Sequence, residues 1–269
     1  MKKLGILLAS ILLLAVITAC GADEETQALS EDKLKIGVTA GPHEEIMEKV
    51  KEIAAKDGLE IEIEVISDYV TPNTALAEGD LDVNSYQHKP FLDQMNEDRD
   101  LNLVEVATTV NFPMGIYSED ISDVSELKEG DKVGLPNDPT NGARALILFE
   151  QAGLITLKEG AGVTASVKDI EDNKLGLEFI ELEAAQIPRQ LGELTAAAIN
   201  TNYAMEAGYV PTEDSIFIEP KDSPWVNLIA VRAENKDDAV LDKLIKAYHS
   251  DEVKEFVENN FEGSVVTSW

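Results

Sequence analysis

Cysteine occurs once in these 269 residues, at Cys20, so the chain can close no internal disulfide and can build no thiolate metal site in a folded body. Histidine is almost as scarce. His43, His88 and His249 are too scattered to supply the convergent ligand set of a zinc site. Basic residues are outnumbered, 22 Lys and Arg against 52 Asp and Glu, for a net charge of −30. That balance excludes nucleic acid as a partner, because phosphate backbones call for a basic patch. It also makes the protein surface a poor binder of anionic lipid headgroups. No G-x-S-x-G, H-E-x-x-H, G-x-x-x-x-G-K-[ST] or G-x-G-x-x-G motif is present. With 52 acids, accidental carboxylate pairs abound and carry no catalytic signal. The sequence therefore assigns no catalytic residue, no metal and no cofactor, and the expectation is a protein that is not an enzyme.

A long apolar run is also missing. The stretch 4–16 is shorter than the roughly 20 residues needed to cross a bilayer. It follows Lys2 and Lys3 and ends at small residues and a cysteine, which is the layout of a signal peptide over residues 1–19. Ile17-Thr18-Ala19-Cys20 resembles a lipobox, with Ile17 in place of the usual leucine. The expectation is cleavage before Cys20, acylation of its thiol, and an extracytoplasmic protein held to the membrane by lipid rather than by its own surface. Loss of Lys2 and Lys3 takes the net charge to −32. Residues 20–32 comprise the lipidated cysteine and an acidic, apolar-poor segment that reads as a flexible tether.

From residue 34 strands and helices alternate. A strand at 34–39 meets a turn at Gly41-Pro42 and a helix whose Ile46, Val50, Ile53 and Ala54 fall at helical spacing, with Glu44 and Glu45 in the first turn and Gly58 beyond its end. Residues 61–65 alternate strictly, as a strand near a sheet edge does. A short helix after Pro72, a strand at 81–86, a helix from Pro90 and a strand at 103–110 complete a first series. A second series has a strand at 132–135, a turn through Pro136 and Pro139, a helix at 141–151, and strands at 177–182, 196–199, 215–218 and 226–231. Helices at 240–248 and 251–259 close the chain. Periodicity establishes an α/β chain and permits either two lobes or one doubly wound sheet.

Polar and aromatic residues concentrate where loops follow strands, the usual place for ligand contacts in α/β lobes. The segments are Asp68-Tyr69-Val70 with Asn73, Tyr86-Gln87-His88-Lys89-Pro90, Asn111-Phe112-Pro113-Met114-Gly115, Pro136 through Arg144, Asn200-Thr201-Asn202-Tyr203, and Ser223-Pro224-Trp225-Val226-Asn227. Here the sequence resembles a known family, the NlpA-type methionine-binding lipoproteins of methionine ABC importers. Its most specific pieces are Gln87-His88-Lys89-Pro90, Pro136-Asn137-Asp138-Pro139-Thr140-Asn141, Ile199-Asn200-Thr201 and Val226-Asn227-Leu228.

The resemblance implies a two-lobed periplasmic-binding-protein-like fold of type II. Lobe 1 would comprise 33–112 and 228–269 and lobe 2 residues 113–227, with crossings within 110–117 and 227–233. It implies a cleft holding a zwitterionic amino acid. Arg144 matches the position that pairs with the ligand carboxylate, a task suited to a planar guanidinium. Asn200, Asn202 and Asn227 would hold the polar end without adding charge, and Tyr69, His88, Phe112 and Tyr117 would wall the thioether. Met114 and Trp225 read as packing residues, and His43 and His249 as helix-associated surface residues. The implied partners are L-methionine, with D-methionine as a second candidate, and the permease of an ABC importer, the protein itself being a monomer. Two alternatives stay open on residues alone. One is the same role for a methionine dipeptide, methionine sulfoxide or another amino acid; the other is a surface enzyme or an adhesin or scaffold lipoprotein.

Overall fold

The computed structural model describes residues 28–269; the signal peptide, Cys20 and most of the expected tether lie outside the described residues. The tether's last residues are docked rather than free. Leu29 is buried in the first core, its backbone N–H donates to Asp238 Oδ2 at 2.8 Å, and Lys243 Nζ donates to the Glu31 carbonyl at 2.8 Å.

Two sheets, not one, organise the chain. The first contains β1 (Lys33–Thr39), β2 (Glu60–Ile66), β3 (Val83–His88), β4 (Leu103–Asn111), β12 (Val226–Arg232) and β13 (Val266–Thr267), in the order β13-β4-β12-β3-β1-β2. β1 runs parallel to β2 and β3, and β12 lies antiparallel between β3 and β4. The second contains β5 (Gly115–Tyr117), β6 (Lys132–Pro136), β9 (Glu178–Leu182), β10 (Ala196–Ile199) and β11 (Phe217–Ile218), in the order β11-β5-β10-β6-β9. A two-stranded ladder, β7 (Thr156–Leu157) with β8 (Ile170–Asp172), stands apart.

The alternating strand β2 takes the sheet edge, where one face can meet water. β3, buried along its whole length, is interior although it reads Val-Asn-Ser-Tyr-Gln-His. Its polar side chains are tolerated because they are paired. Asn73 and Gln87 exchange amide hydrogen bonds at 2.7 Å, while Asn84 Nδ2 donates to Asn73 Oδ1 at 2.8 Å.

Helices cover the sheets. α1 (Pro42–Ala54) packs Ile46, Met47 and Val50 against β1, backed by α8 (Val240–Tyr248) and α9 (Asp251–Phe261) through Leu244, Val253 and Val257. α2 (Thr71–Glu78) and α3 (Lys89–Arg99) cover the opposite face over Leu76, Leu81, Leu92 and Leu228. On the second sheet, α4 (Pro139–Gln151) buries Leu146, Leu148 and Phe149, and the short helices α5 (Ile187–Gln190) and α6 (Thr201–Glu206) bury Ile187 and Tyr203. A four-residue helix, α7 (Pro211–Asp214), leads toward β11. The final helices thus return to the first sheet, as a two-lobed chain requires.

The chain leaves the first sheet after Asn111 and enters the second at Gly115. It returns between Ile218 and Val226. The second passage therefore precedes the expected 227–233 stretch, which is instead β12, interior to the first sheet and buried from Asn227 to Val231. Its apolar Leu-Ile-Ala-Val run is the signature of such a strand. Asn111 ties the two passages together, its Nδ2 donating to the Ser223 carbonyl at 2.9 Å and to Ser223 Oγ at 3.0 Å.

Candidate ligand cleft

The site begins at the first turn of α4. Asp138 caps this helix, its Oδ1 accepting from the Asn141 N–H at 2.9 Å, and Pro139 supplies a fixed φ at the start. Gly142 lets the helix approach β6, since a Cβ there would stand 2.9 Å from the Pro136 carbonyl oxygen. This seats Arg144 at the junction of the lobes with only 4% of it exposed.

The cleft lies between the two lobes and is narrow in this arrangement, with a cavity volume of about 30 Å³. One wall comes from the first lobe, with Tyr69, Tyr86, His88 and Phe91. Asn141, Arg144, Asn200 and Asn202 face them from the second. Tyr69 stands at the centre of an aromatic cluster, with ring centroids 5.9 Å from Tyr86, 5.9 Å from Phe91 and 4.9 Å from Tyr203. Such a surface is apolar at the ring faces and edges and favourable to sulfur.

Polar groups are oriented one by one. Asn141 Nδ2 donates to both oxygens of Asp138, at 3.0 and 3.2 Å, which turns Asn141 Oδ1 toward the cleft. That oxygen accepts from Asn200 Nδ2 at 2.8 Å and lies 3.3 Å from His88 Nε2. Because His88 Nδ1 accepts from the Phe91 N–H at 3.2 Å, Nε2 carries the ring's proton and donates to Asn141. Burial, helped by the Arg144 charge, lowers the His88 pKa to about 3, so the ring is neutral. Asn200 Oδ1 is left buried without a partner, a carbonyl acceptor open to a donor from a ligand.

Arg144 is already engaged. Its Nε donates to Glu219 Oε1 at 2.9 Å and its Nη2 to Glu219 Oε2 at 2.6 Å, and Nη2 also meets the Phe112 carbonyl at 2.7 Å. The two-pronged edge expected for a ligand carboxylate is therefore held by Glu219. Nη1 is the nitrogen left over from these contacts. The Trp225 ring lies 5.4 Å from the guanidinium carbon and 5.1 Å from His88, a packing position as expected.

Seven of the eight expected contact residues line the cleft: Tyr69, His88, Phe112, Arg144, Asn200, Asn202 and Asn227. Tyr117 does not. It is fully buried in the second lobe's core with Ile187, Leu191 and Tyr203, its ring 5.3 Å from that of Tyr209. As a residue of β5 two positions from Gly115, it shares that glycine's face, and its ring occupies the space a Cβ on Gly115 would need. His43, expected on the surface, instead lines the cleft at 4% exposure with its ring 4.5 Å from Phe112, and burial lowers its pKa to about 3. Helix position alone suggested solvent for it, whereas α1 points its first turn into the interlobe space. Glu219 was invisible among 52 acidic residues. His249 is partly exposed and stacks on Trp269 at 5.0 Å.

Two α/β lobes, joined by two crossings and closed on a cleft with oriented polar groups and an aromatic wall, define a two-lobed solute-binding protein. The sequence profile of the NlpA lipoprotein family matches residues 34–269, and the chain belongs to that family. It is 43% identical over 256 residues to the D-methionine-binding lipoprotein MetQ of Salmonella typhimurium, covering 94% of this chain and 93% of the relative. A nutrient-binding protein from Burkholderia cenocepacia, solved bound to methionine, is 46% identical with a TM-score of 0.86, covering 88% of this chain and 100% of that one. A periplasmic substrate-binding protein of an ABC transporter from Coxiella burnetii is 41% identical with a TM-score of 0.85, covering 87% and 100%.

Proposed function

We propose that this protein captures methionine outside the cell membrane and hands it to an ABC importer, anchored meanwhile through acylated Cys20. The observation that carries the reading is the pair of groups left uncommitted in one aromatic-walled cleft: Asn200 Oδ1, an acceptor suited to an ammonium, and Arg144 Nη1, a donor suited to a carboxylate. Asn202 and Asn227 complete the polar end, and Tyr69, His88 and Phe112 surround the thioether. Membership of the NlpA family and likeness to a methionine-bound protein support the choice of ligand. The lobe built on the first sheet and the lobe built on the second close over the ligand, as a monomer. No step makes or breaks a covalent bond.

The test is thermal unfolding of a soluble form beginning after Cys20, stripped of bound ligand by unfolding and refolding. The panel is L-methionine, D-methionine, methionine sulfoxide, glycyl-methionine and the other amino acids. A ligand at about 100 times its Kd adds roughly 2.7 kcal/mol. Selective stabilisation by methionine supports the reading; a correctly refolded protein indifferent to methionine rejects it.

A further inference from the structure

Glu219 belongs to the return passage between the lobes, and its carboxylate is buried with Arg144, each side chain 3–4% exposed. It does more than pair. Oε2 accepts from the Met114 N–H on the outgoing passage at 2.9 Å and lies 3.4 Å from Ser223 Oγ, while both oxygens hold Arg144. One carboxylate thus fixes the guanidinium to both passages and takes two of its three nitrogens. Arg144 is the only permanently charged side chain among the residues lining the cleft, since His43 and His88 are held neutral by burial. With Glu219 beside it, the cationic end of the cleft is already neutralised. Asp138 places a second carboxylate behind Asn141.

We propose that Glu219 is a positioning and specificity residue: by neutralising Arg144 and occupying its two-pronged edge, it makes the cleft reject free carboxylates and accept only ligands that bring their own ammonium. A guanidinium facing a buried cleft without such a partner attracts any anion, and closing the cleft over an anion then leaves no charge unbalanced. With Glu219 in place, an anionic ligand closes in with one uncompensated negative charge, whereas a zwitterion adds none. The inference rests on the methionine reading and explains how that site would distinguish an amino acid from the corresponding keto, hydroxy or deaminated acid.

The experiment measures, by calorimetric titration of ligand-stripped protein, the affinities for L-methionine and for 4-(methylthio)butanoate, which differ by the ammonium alone. It compares wild type, Glu219→Gln and Glu219→Asp. Wild type should favour methionine by at least about 100-fold, and Glu219→Gln should shrink that preference by at least about tenfold through tighter binding of the anion, a change of the size expected for one buried charge pair. Glu219→Asp, which keeps the charge, should retain the wild-type preference even where both affinities fall. Because Glu219→Gln risks misfolding around an unpaired Arg144, the wild-type ratio serves as a check of its own. A wild type that binds the anion within about tenfold of methionine overturns the proposal, with no variant needed. An unchanged ratio in a folded Glu219→Gln overturns it too, and in both cases the methionine reading stands. A wild type that binds no methionine overturns both.

Discussion

Removing the Arg144 side chain has two separable consequences. It deletes the cation that faces the cleft, and it strands the Glu219 carboxylate, 3% exposed, without its partner. Arg144→Ala should therefore abolish methionine-dependent stabilisation and also lower the intrinsic stability by about 3–5 kcal/mol, read from denaturant unfolding without ligand. Tyr117 offers the opposite case. Its hydroxyl is buried with no partner, so Tyr117→Phe should be neutral or stabilise by about 1 kcal/mol and leave methionine affinity unchanged. A marked loss of affinity would put Tyr117 back in the ligand pocket. The two histidines of the cleft set a pH dependence. His43 and His88 titrate near 3 in the folded protein against 6.5 when unfolded, both because of burial. Between these values the unfolded chain binds more protons, so stability rises with pH, by up to about 1.4 kcal/mol per pH unit for each histidine. Asp138, pushed up by burial, acts in the opposite sense as pH climbs past the ordinary carboxylate range. Stability measured across pH 4 to 7 should fall on acidification, and His43→Gln should flatten the curve.

The element that matters most is α4, because its first turn carries Asn141, which holds Asn200, and leads into Arg144. Gly142→Ala would push a methyl group to 2.9 Å from the Pro136 carbonyl and force the helix away from β6. It should cost about 1–3 kcal/mol and weaken methionine binding in the same variant, since Asn141 and Arg144 move with the helix. The Pro-Asn-Asp-Pro turn made this helix legible in advance, as alternation did for edge strand β2. Other elements were less readable. β3 carries Asn84, Ser85, Gln87 and His88 on a fully buried strand; the amide pairs with Asn73 account for Asn84 and Gln87, and the bonds to Asn141 and from the Phe91 N–H account for His88. The outgoing passage at 112–114 was expected, but the return passage was misplaced because Val226–Arg232 reads equally as an extended linker and as a buried strand. Phe112, Asn200 and Asn227 were found through motif context. Glu219 and His43 were not, because their roles come from partners distant in sequence.

On the scale of the whole molecule the lobes are hydrogen-bonded across the cleft. Tyr69 Oη donates to Asn202 Oδ1 at 2.6 Å, Tyr203 Oη to the Ser67 carbonyl at 3.1 Å, and His88 reaches Asn141. This is a closed arrangement, and closure is the event that a ligand favours when it binds the closed state better than the open one. Tyr203 does not line the cleft, so Tyr203→Phe removes an interlobe bond without touching the ligand. It should weaken methionine about 2- to 10-fold, the worth of one neutral hydrogen bond, and raise the fraction of open protein seen by small-angle scattering.

The central claim is that the cleft is built for methionine. Its most direct test is calorimetric titration of L-methionine into ligand-stripped wild-type protein, with Asn200→Leu run alongside. Saturable one-to-one binding that is at least about tenfold weaker in the folded variant is the predicted result, because the proposed role of the unpartnered Asn200 Oδ1 is to accept from the ammonium. The absence of heat and of saturation in wild type, or equal affinity in the two proteins, contradicts the account.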